Sequence, residues 1–176
     1  MNFESYILNN NNNPHYTALY GWQRFLGDDT FTFGYISSYK EAADDLVDKC
    51  CPDLYLYPIM FCYRQYLELV LKNICYKNMN TVSYQNFIST ASHNLSIVWN
   101  NAKQILVSQL ENEQIDFIND AVMFFDKLDP SSFAFRYERD KKLNRSIKQD
   151  LSINTKHLKK CMDEVDLYLR LTYDSL

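Results

Sequence analysis

The stretch from Pro58 to Asn78, PIMFCYRQYLELVLKNICYKN, limits the possible folds more than any other part of the chain. On a helical wheel Ile59, Met60, Cys62, Tyr63, Tyr66, Leu67, Leu69, Val70, Leu71 and Ile74 cover most of the circumference. Arg64, Glu68 and Lys72 fall four apart on one narrow stripe, with Gln65 beside them. A surface helix needs only one apolar face, so a helix that is apolar nearly all round must be enclosed by other elements. Pro58 fits a first turn, where its missing N–H has no partner to lose. The stretch predicts the central helix of a bundle.

The remaining pattern is helical too. A chain of 176 residues with 47% apolar residues can bury one full core, and 15% aromatics exclude a disordered chain. Glycine occurs only at Gly21, Gly27 and Gly34, which leaves the rest without the residue that tight β-turns favour. Three-four spacing predicts helices over Tyr35–Cys51, closed by Pro52, and from Ser89 or Ser92 to Gln109. Two more run from Glu111 to Asp129-Pro130 and from Ser152 to Thr172, while Asn78–Tyr84 reads as a polar connection. The expected fold is all-α, an up-and-down bundle of about five helices over residues 35–176. An irregular, aromatic-rich N-terminal arm at residues 1–34 precedes it. That arm carries the run Asn9 to Asn13, and its Tyr16, Tyr20, Trp22, Phe25, Phe31 and Phe33 would pack on the bundle. A short helix is expected around Thr17–Phe25.

The net charge of −4 hides an asymmetry. Residues 1–57 hold eight acids and three bases, whereas residues 136–160 hold nine bases and three acids. This reads either as a local basic patch on an acidic protein or as solvated helix and loop surface. The five cysteines are odd in number and form no C-x-x-C. With no signal-peptide pattern and no apolar run of transmembrane length, they predict reduced thiols in a cytoplasmic protein that does not enter a membrane. Three scattered histidines supply no zinc-ligand spacing. G-x-S-x-G, a phosphate-binding glycine loop, H-E-x-x-H and a dinucleotide fingerprint are all missing, so no metal and no cofactor is expected.

Three groups carry candidate chemistry. Arg64, Glu68 and Lys72 form either an i, i+4 charge ladder or the polar edge of a groove. On an otherwise buried helix, unpaired charges cost several kcal/mol, so another element must answer them. His93, in Ser92-His93-Asn94-Leu95, is either a helix-start residue or the best general acid or base in the chain, because imidazole titrates near neutral pH. His15 lies in the arm, and His157 is expected to be exposed on the last helix. The segment Phe133-Ala134-Phe135-Arg136-Tyr137-Glu138-Arg139-Asp140 would hold a guanidinium between anchoring aromatics. Arginine pairs with phosphate bidentately. The other reading of Arg136 is a salt bridge to Glu68 or another acid. Arg136, Tyr137, Arg139, Lys141, Lys142 and Arg145 form the candidate RNA-binding patch, interrupted by Glu138 and Asp140.

Taken together, YPIMFCYRQYLELVLKNI, SHNLSIVW and LDPSSFAFRYERD resemble the HEPN superfamily, in particular the small prokaryotic HEPN-like proteins of toxin–antitoxin and phage-defence loci. The likeness spans about Tyr35 to Tyr173. It implies a four- or five-helix bundle that often dimerises and, in active members, cleaves RNA without a metal. Active members carry arginine followed four to six residues later by histidine, and this chain has no such pair. Arg136 and Arg139 are followed by no histidine at that distance, and Arg145 meets Asp150 instead. The resemblance then implies a non-catalytic binding or dimerisation module for RNA or a protein partner of such a system. The alternative is a divergent metal-independent RNase, with Arg136 and Arg64 on the phosphate, His93 as general acid or base, and Glu68 orienting one of them. A third reading is an accessory subunit that binds a nucleotide or another protein, since the family includes partners of nucleotidyltransferases. Catalysis would need His93, Arg64 and Arg136 to converge within solvent reach. An inert network would be buried and mutually satisfied.

Overall fold

The computed structural model describes residue 18 and residues 28–49, 51–148 and 150–173. Most of the expected arm, including the short helix around Thr17–Phe25 and His15, lies outside the described residues, as does Cys50. The chain divides into two compact units, Met1–Tyr35 and Ile36–Leu176, and the bundle belongs to the second. Six helices occur among the described residues: α1 (Asp28–Val47), α2 (Pro52–Asn78), α3 (Thr81–Ala91), α4 (Leu95–Leu106), α5 (Asn112–Leu128) and α6 (Thr155–Tyr173). The protein is all-α, and a single isolated β-bridge joins Arg139 and Arg145.

The central helix is where the sequence places it, but it is longer. Pro52 opens α2 in its first turn and does not merely close the preceding helix. A proline suits that place because the first N–H groups of a helix have no internal partner. Pro58 consequently lies inside α2, at a point where Leu54, Tyr57 and Pro58 are exposed. From Ile59 onward the helix is enclosed, with Ile59, Tyr63, Leu67 and Leu71 fully buried. It packs on α4, α6, α3 and α5. These helices answer it with Val98, Trp99 and Leu106 of α4, Ile118, Val122 and Phe125 of α5, and Met162, Val165 and Leu169 of α6. The sets on α5 and α6 repeat at three or four residues, the period of a helix face turned to a core.

Two boundaries differ from the sequence reading. Residues 28–34 are helical and not part of an irregular arm. The polar connection expected over Asn78–Tyr84 is instead where an additional helix, α3, begins, ahead of the expected helix (α4), so six helices occur among the described residues where about five were expected. Asn80 caps α3 by accepting from Ser83 N at 2.9 Å, and Asn94 caps α4 by accepting from Ile97 N at 2.9 Å. Between them Ser92 takes φ 48° and ψ −112°, a conformation that ends α3 outright. In α5, Glu111 and Gln114 form the reciprocal capping box that fixes its start.

A second polar cluster ties α1 to α2 and α6. Lys40 Nζ donates to Asp44 at 2.7 Å and to Asp163 at 2.6 Å, and Tyr63 Oη donates to Asp44 at 2.6 Å. Burial works against the Lys40 charge, but its two carboxylate partners outweigh this and hold its pKa above the usual lysine value. Ile36, Lys40, Ala43, Asp44 and Val47 form one buried face of α1, three of them apolar and two ionic.

Candidate functional site

The stripe on α2 is the best-connected polar group in the molecule's described part. Arg64 is 0% exposed, and each of its guanidinium nitrogens donates. Nε reaches the carbonyl of Asp129 at 2.7 Å, Nη1 reaches Glu68 Oε2 at 2.9 Å, and Nη2 reaches the carbonyl of His93 at 2.7 Å. Lys72 Nζ donates to Glu68 Oε1 and to the carbonyl of Ser92, both at 2.6 Å. The carbonyls it binds all stand at chain reversals. Ser92 and His93 form the break between α3 and α4, and Asp129 caps the end of α5. Carbonyls at helix ends lack internal donors, so the two cations satisfy them while Glu68 neutralises the cations. Burial pushes the Glu68 carboxyl up, yet the hydrogen bonds from Lys72 and Arg64 prevail and hold its pKa below the usual carboxylate range.

His93 sits on the edge of this network. Its Nδ1 lies 2.9 Å from Glu68 Oε1, and its side chain is 58% exposed. An ionised carboxylate only accepts, so the contact places a proton on Nδ1 and leaves Nε2 as the basic nitrogen. Glu68 does orient a candidate histidine. Arg64, however, has no nitrogen left for a ligand.

Asp129 joins the network to the basic loop. Its Oδ1 accepts from Phe133 N at 2.6 Å and Ala134 N at 2.9 Å, which folds the chain tightly after α5. Its Oδ2 lies 3.8 Å from Arg64 Nε and accepts no hydrogen bond. Ser132, at φ 56°, turns its carbonyl to the Arg136 guanidinium, which donates to it through Nε at 2.7 Å and also through Nη2. The Arg136 guanidinium lies 5.8 Å from the Phe61 ring and 5.4 Å from the Tyr137 ring, and Phe133 stacks on Tyr137 at 4.7 Å. Aromatics therefore do frame Arg136. Among the described residues it makes no ion pair, with Glu68 or any other acid.

The rest of the loop is folded by an acid that the sequence reading treated only as an interruption. Asp140 Oδ1 accepts from Lys142 N at 2.8 Å and Asn144 N at 2.9 Å, and Oδ2 accepts from Asn144 Nδ2 at 3.1 Å. The Asp140 carboxyl is held below its usual pKa by these bonds, with Asn144 the main contributor. Leu143, at φ 64°, completes the reversal, and Ser146 N returns to the Glu138 carbonyl at 2.9 Å. Lys141 and Lys142 stand at the tip, while Arg139 and Arg145 face each other across the base. Arg139 also meets Glu138 and the Leu143 carbonyl. The signal for this turn was the Asp-x-x-x-Asn spacing of Asp140 and Asn144.

A cavity of about 530 Å³ opens between this loop and α2, walled by Tyr57, Phe135, Arg136, Tyr137, Arg145 and Asp150 among others. A smaller one of about 190 Å³ adjoins it, sharing Tyr57, Phe135, Ile147 and Asp150 and adding Leu56, Met60, Leu128, Leu151 and Ile153. Tyr57 and Asp150 had not been singled out in the sequence. Thus Arg64, Glu68 and His93 form one group, and Arg136, Tyr137 and Arg145 form another. The two are linked through the Asp129–Ser132 segment and do not share a ligand-accessible point. His157 is exposed and donates its backbone N–H to Asn154. Among the described residues no three His, Cys, Asp or Glu side chains are placed to hold a metal ion. No described helix is long and apolar enough to cross a membrane. Cys62, Cys75 and Cys161 are free, and burial pushes the Cys75 thiol up to about 12.

No family model, curated protein or solved structure matches this chain.

Proposed function

We propose that the chain is a non-catalytic, HEPN-like binding module of a defence or toxin–antitoxin system, and that it engages RNA through the loop after α5. The observation that carries this reading is the commitment of Arg64. A fully buried guanidinium with three internal acceptors cannot clamp a scissile phosphate, and it serves instead to hold two chain reversals against α2. The exposed positive charge lies elsewhere, on Arg136, Lys141, Lys142 and Arg145. A protein partner of the same system, or a second copy of the chain, would have to use other surface.

One observation favours the alternative, a divergent metal-independent RNase: His93 is exposed, and a carboxylate orients its ring. Such a histidine can move a proton at a 2′-hydroxyl. Two measurements separate the readings. Fluorescence-anisotropy titration with single-stranded RNA should show binding that Arg136→Ala weakens more than Lys142→Ala, because only Arg136 is framed by rings. Cleavage of labelled single-stranded and transfer RNA in EDTA should show none. EDTA-resistant cleavage that His93→Ala abolishes would establish the RNase and end the non-catalytic reading.

A further inference from the structure

The cavity beside Arg136 has a chemistry that RNA binding does not use. Its volume of about 530 Å³ is that of a small-molecule site, for which roughly 300–1,000 Å³ is usual. Its charged lining is balanced, with Arg136 and Arg145 against Glu138 and Asp150. Glu138 is occupied by Arg139. Arg145 and Asp150 are different: among the described residues neither side chain has a hydrogen bond or an ion-pair partner, and they do not pair with each other. Arg136 spends Nε and Nη2 on Ser132 and keeps Nη1. The free charged groups of the cavity are therefore two guanidinium groups and one carboxylate.

The adjoining pocket supplies the other half of the specificity. Apart from Tyr57 and Asp150, its walls are Leu56, Met60, Leu128, Phe135, Ile147, Leu151 and Ile153, all apolar. Because four residues line both cavities, a ligand held at the arginines can pass its tail directly into this annex. A polyanion fits poorly, since Asp150 lines both spaces and would face its second charge. A monoanion with an apolar tail meets every feature.

We propose that this cavity binds an apolar or aromatic monocarboxylate, its carboxylate on Arg145 and Arg136 and its tail in the annex. Two guanidinium groups match a carboxylate with charge-assisted bonds, and Tyr57 and Phe135 flank the passage to the annex. Where the ligand is an α-amino acid, Asp150 receives its ammonium group. Where it is a simple carboxylic acid, Asp150 stays solvated. The proposal shares Arg136 and Arg145 with the RNA-binding reading but does not rest on it, because the cavity, its unpaired carboxylate and the apolar annex stand without RNA.

The test is isothermal titration calorimetry on the full chain with L-phenylalanine, 3-phenylpropionate, AMP and inorganic phosphate. At least one of the two carboxylates should bind, and more tightly than AMP or phosphate. Arg145→Ala should weaken that binding tenfold or more without shifting the thermal midpoint, because the side chain makes no internal bond. Leu151→Glu, which puts a charge at an exposed position of the annex wall, should weaken it comparably. Phenylalanine bound more tightly than phenylpropionate, with the difference removed in Asp150→Asn, would assign the amino acid as source; equal or reversed affinities would assign the simple acid. Failure of both carboxylates to bind, equal binding of AMP or phosphate, or an unchanged affinity in Arg145→Ala would overturn the proposal.

Discussion

Glu68 holds together more of the molecule than any other single side chain described. Arg64, Lys72 and His93 all converge on its two oxygens, and through the two cations it supports three carbonyls at two chain reversals. Neutralising it breaks a buried ion pair and leaves Arg64 with only the Asp129 carboxylate, 3.8 Å away, as counter-charge; breaking such a pair typically costs about 3–5 kcal/mol. Glu68→Gln should therefore lower the urea midpoint by an amount corresponding to that range, although glutamine has nearly the same shape. The pH dependence follows from the direction of the shift. The folded-state pKa of Glu68 lies below its ordinary value of 4.5. Its contribution is then complete above that value and is lost as pH falls through the depressed folded pKa. Urea midpoints measured from pH 7 down to pH 3 should drop in the native chain below about pH 4.5. In Glu68→Gln the drop should be shallower, with the remainder coming from Asp140 and, in the interior, from Asp44. There, too, burial is outweighed, in this case by Lys40, Tyr63 and Lys159.

The break between α3 and α4 shows what an element boundary needs and why the helix before it escaped the sequence. Ser92 adopts φ 48° and ψ −112°, a region that costs any residue with a Cβ and that glycine enters freely. Its carbonyl is then presented to Lys72, twenty positions back. Ser92→Gly should raise stability by about 1 kcal/mol, read as a higher thermal midpoint; a lower midpoint would mean that the conformation is unstrained. No glycine marks the turn, so a helix start at Ser89 or Ser92 followed naturally from the polar run. The local signals were instead the two caps, Asn80 and Asn94, each three residues before the N–H it accepts from. Legibility elsewhere tracked periodicity. The apolar wheel of α2, the α4–α5 pair and α6 were all readable, because burial on one face imposes a three-four repeat. The ends were not, since Pro52 can close one helix or open the next with equal propriety. At the site, the spacing of Arg64, Glu68 and Lys72 showed that they would meet. What they would bind was invisible, because their partners are mainly backbone carbonyls, which carry no residue signature. The framing of Arg136 by aromatics was legible, but the folding of its loop by Asp140 was not.

At the scale of the whole molecule, one enclosed helix carries the core and a separate loop carries the charge, so stability and binding should respond to different substitutions. Leu67 is completely buried at the centre of α2. Leu67→Ala should cost about 2–5 kcal/mol in denaturant unfolding, and an unchanged midpoint would contradict the enclosure of α2 by its neighbours. Lys141 and Lys142 belong to the opposite case. They are exposed at the tip of the Asp140 turn, and removing their side chains leaves the carboxylate bonds that fold the turn intact, because Lys142 takes part in it through its backbone N–H. The double substitution Lys141→Ala, Lys142→Ala should therefore leave the thermal midpoint unmoved. If both lysines neutralise phosphates of a bound single strand, each accounts for about 0.7 of the slope of log affinity against log salt concentration. The double variant should then bind RNA with a slope shallower by about 1.4, and the two proteins' affinities should converge as salt is raised. A uniform loss of affinity at every salt concentration, with the slope retained, would mean that the tip shapes the loop and does not touch the phosphates. In that case the electrostatic contact would have to lie at Arg136 and Arg145, on the cavity itself, and the monocarboxylate and the RNA strand would compete for the same two guanidinium groups.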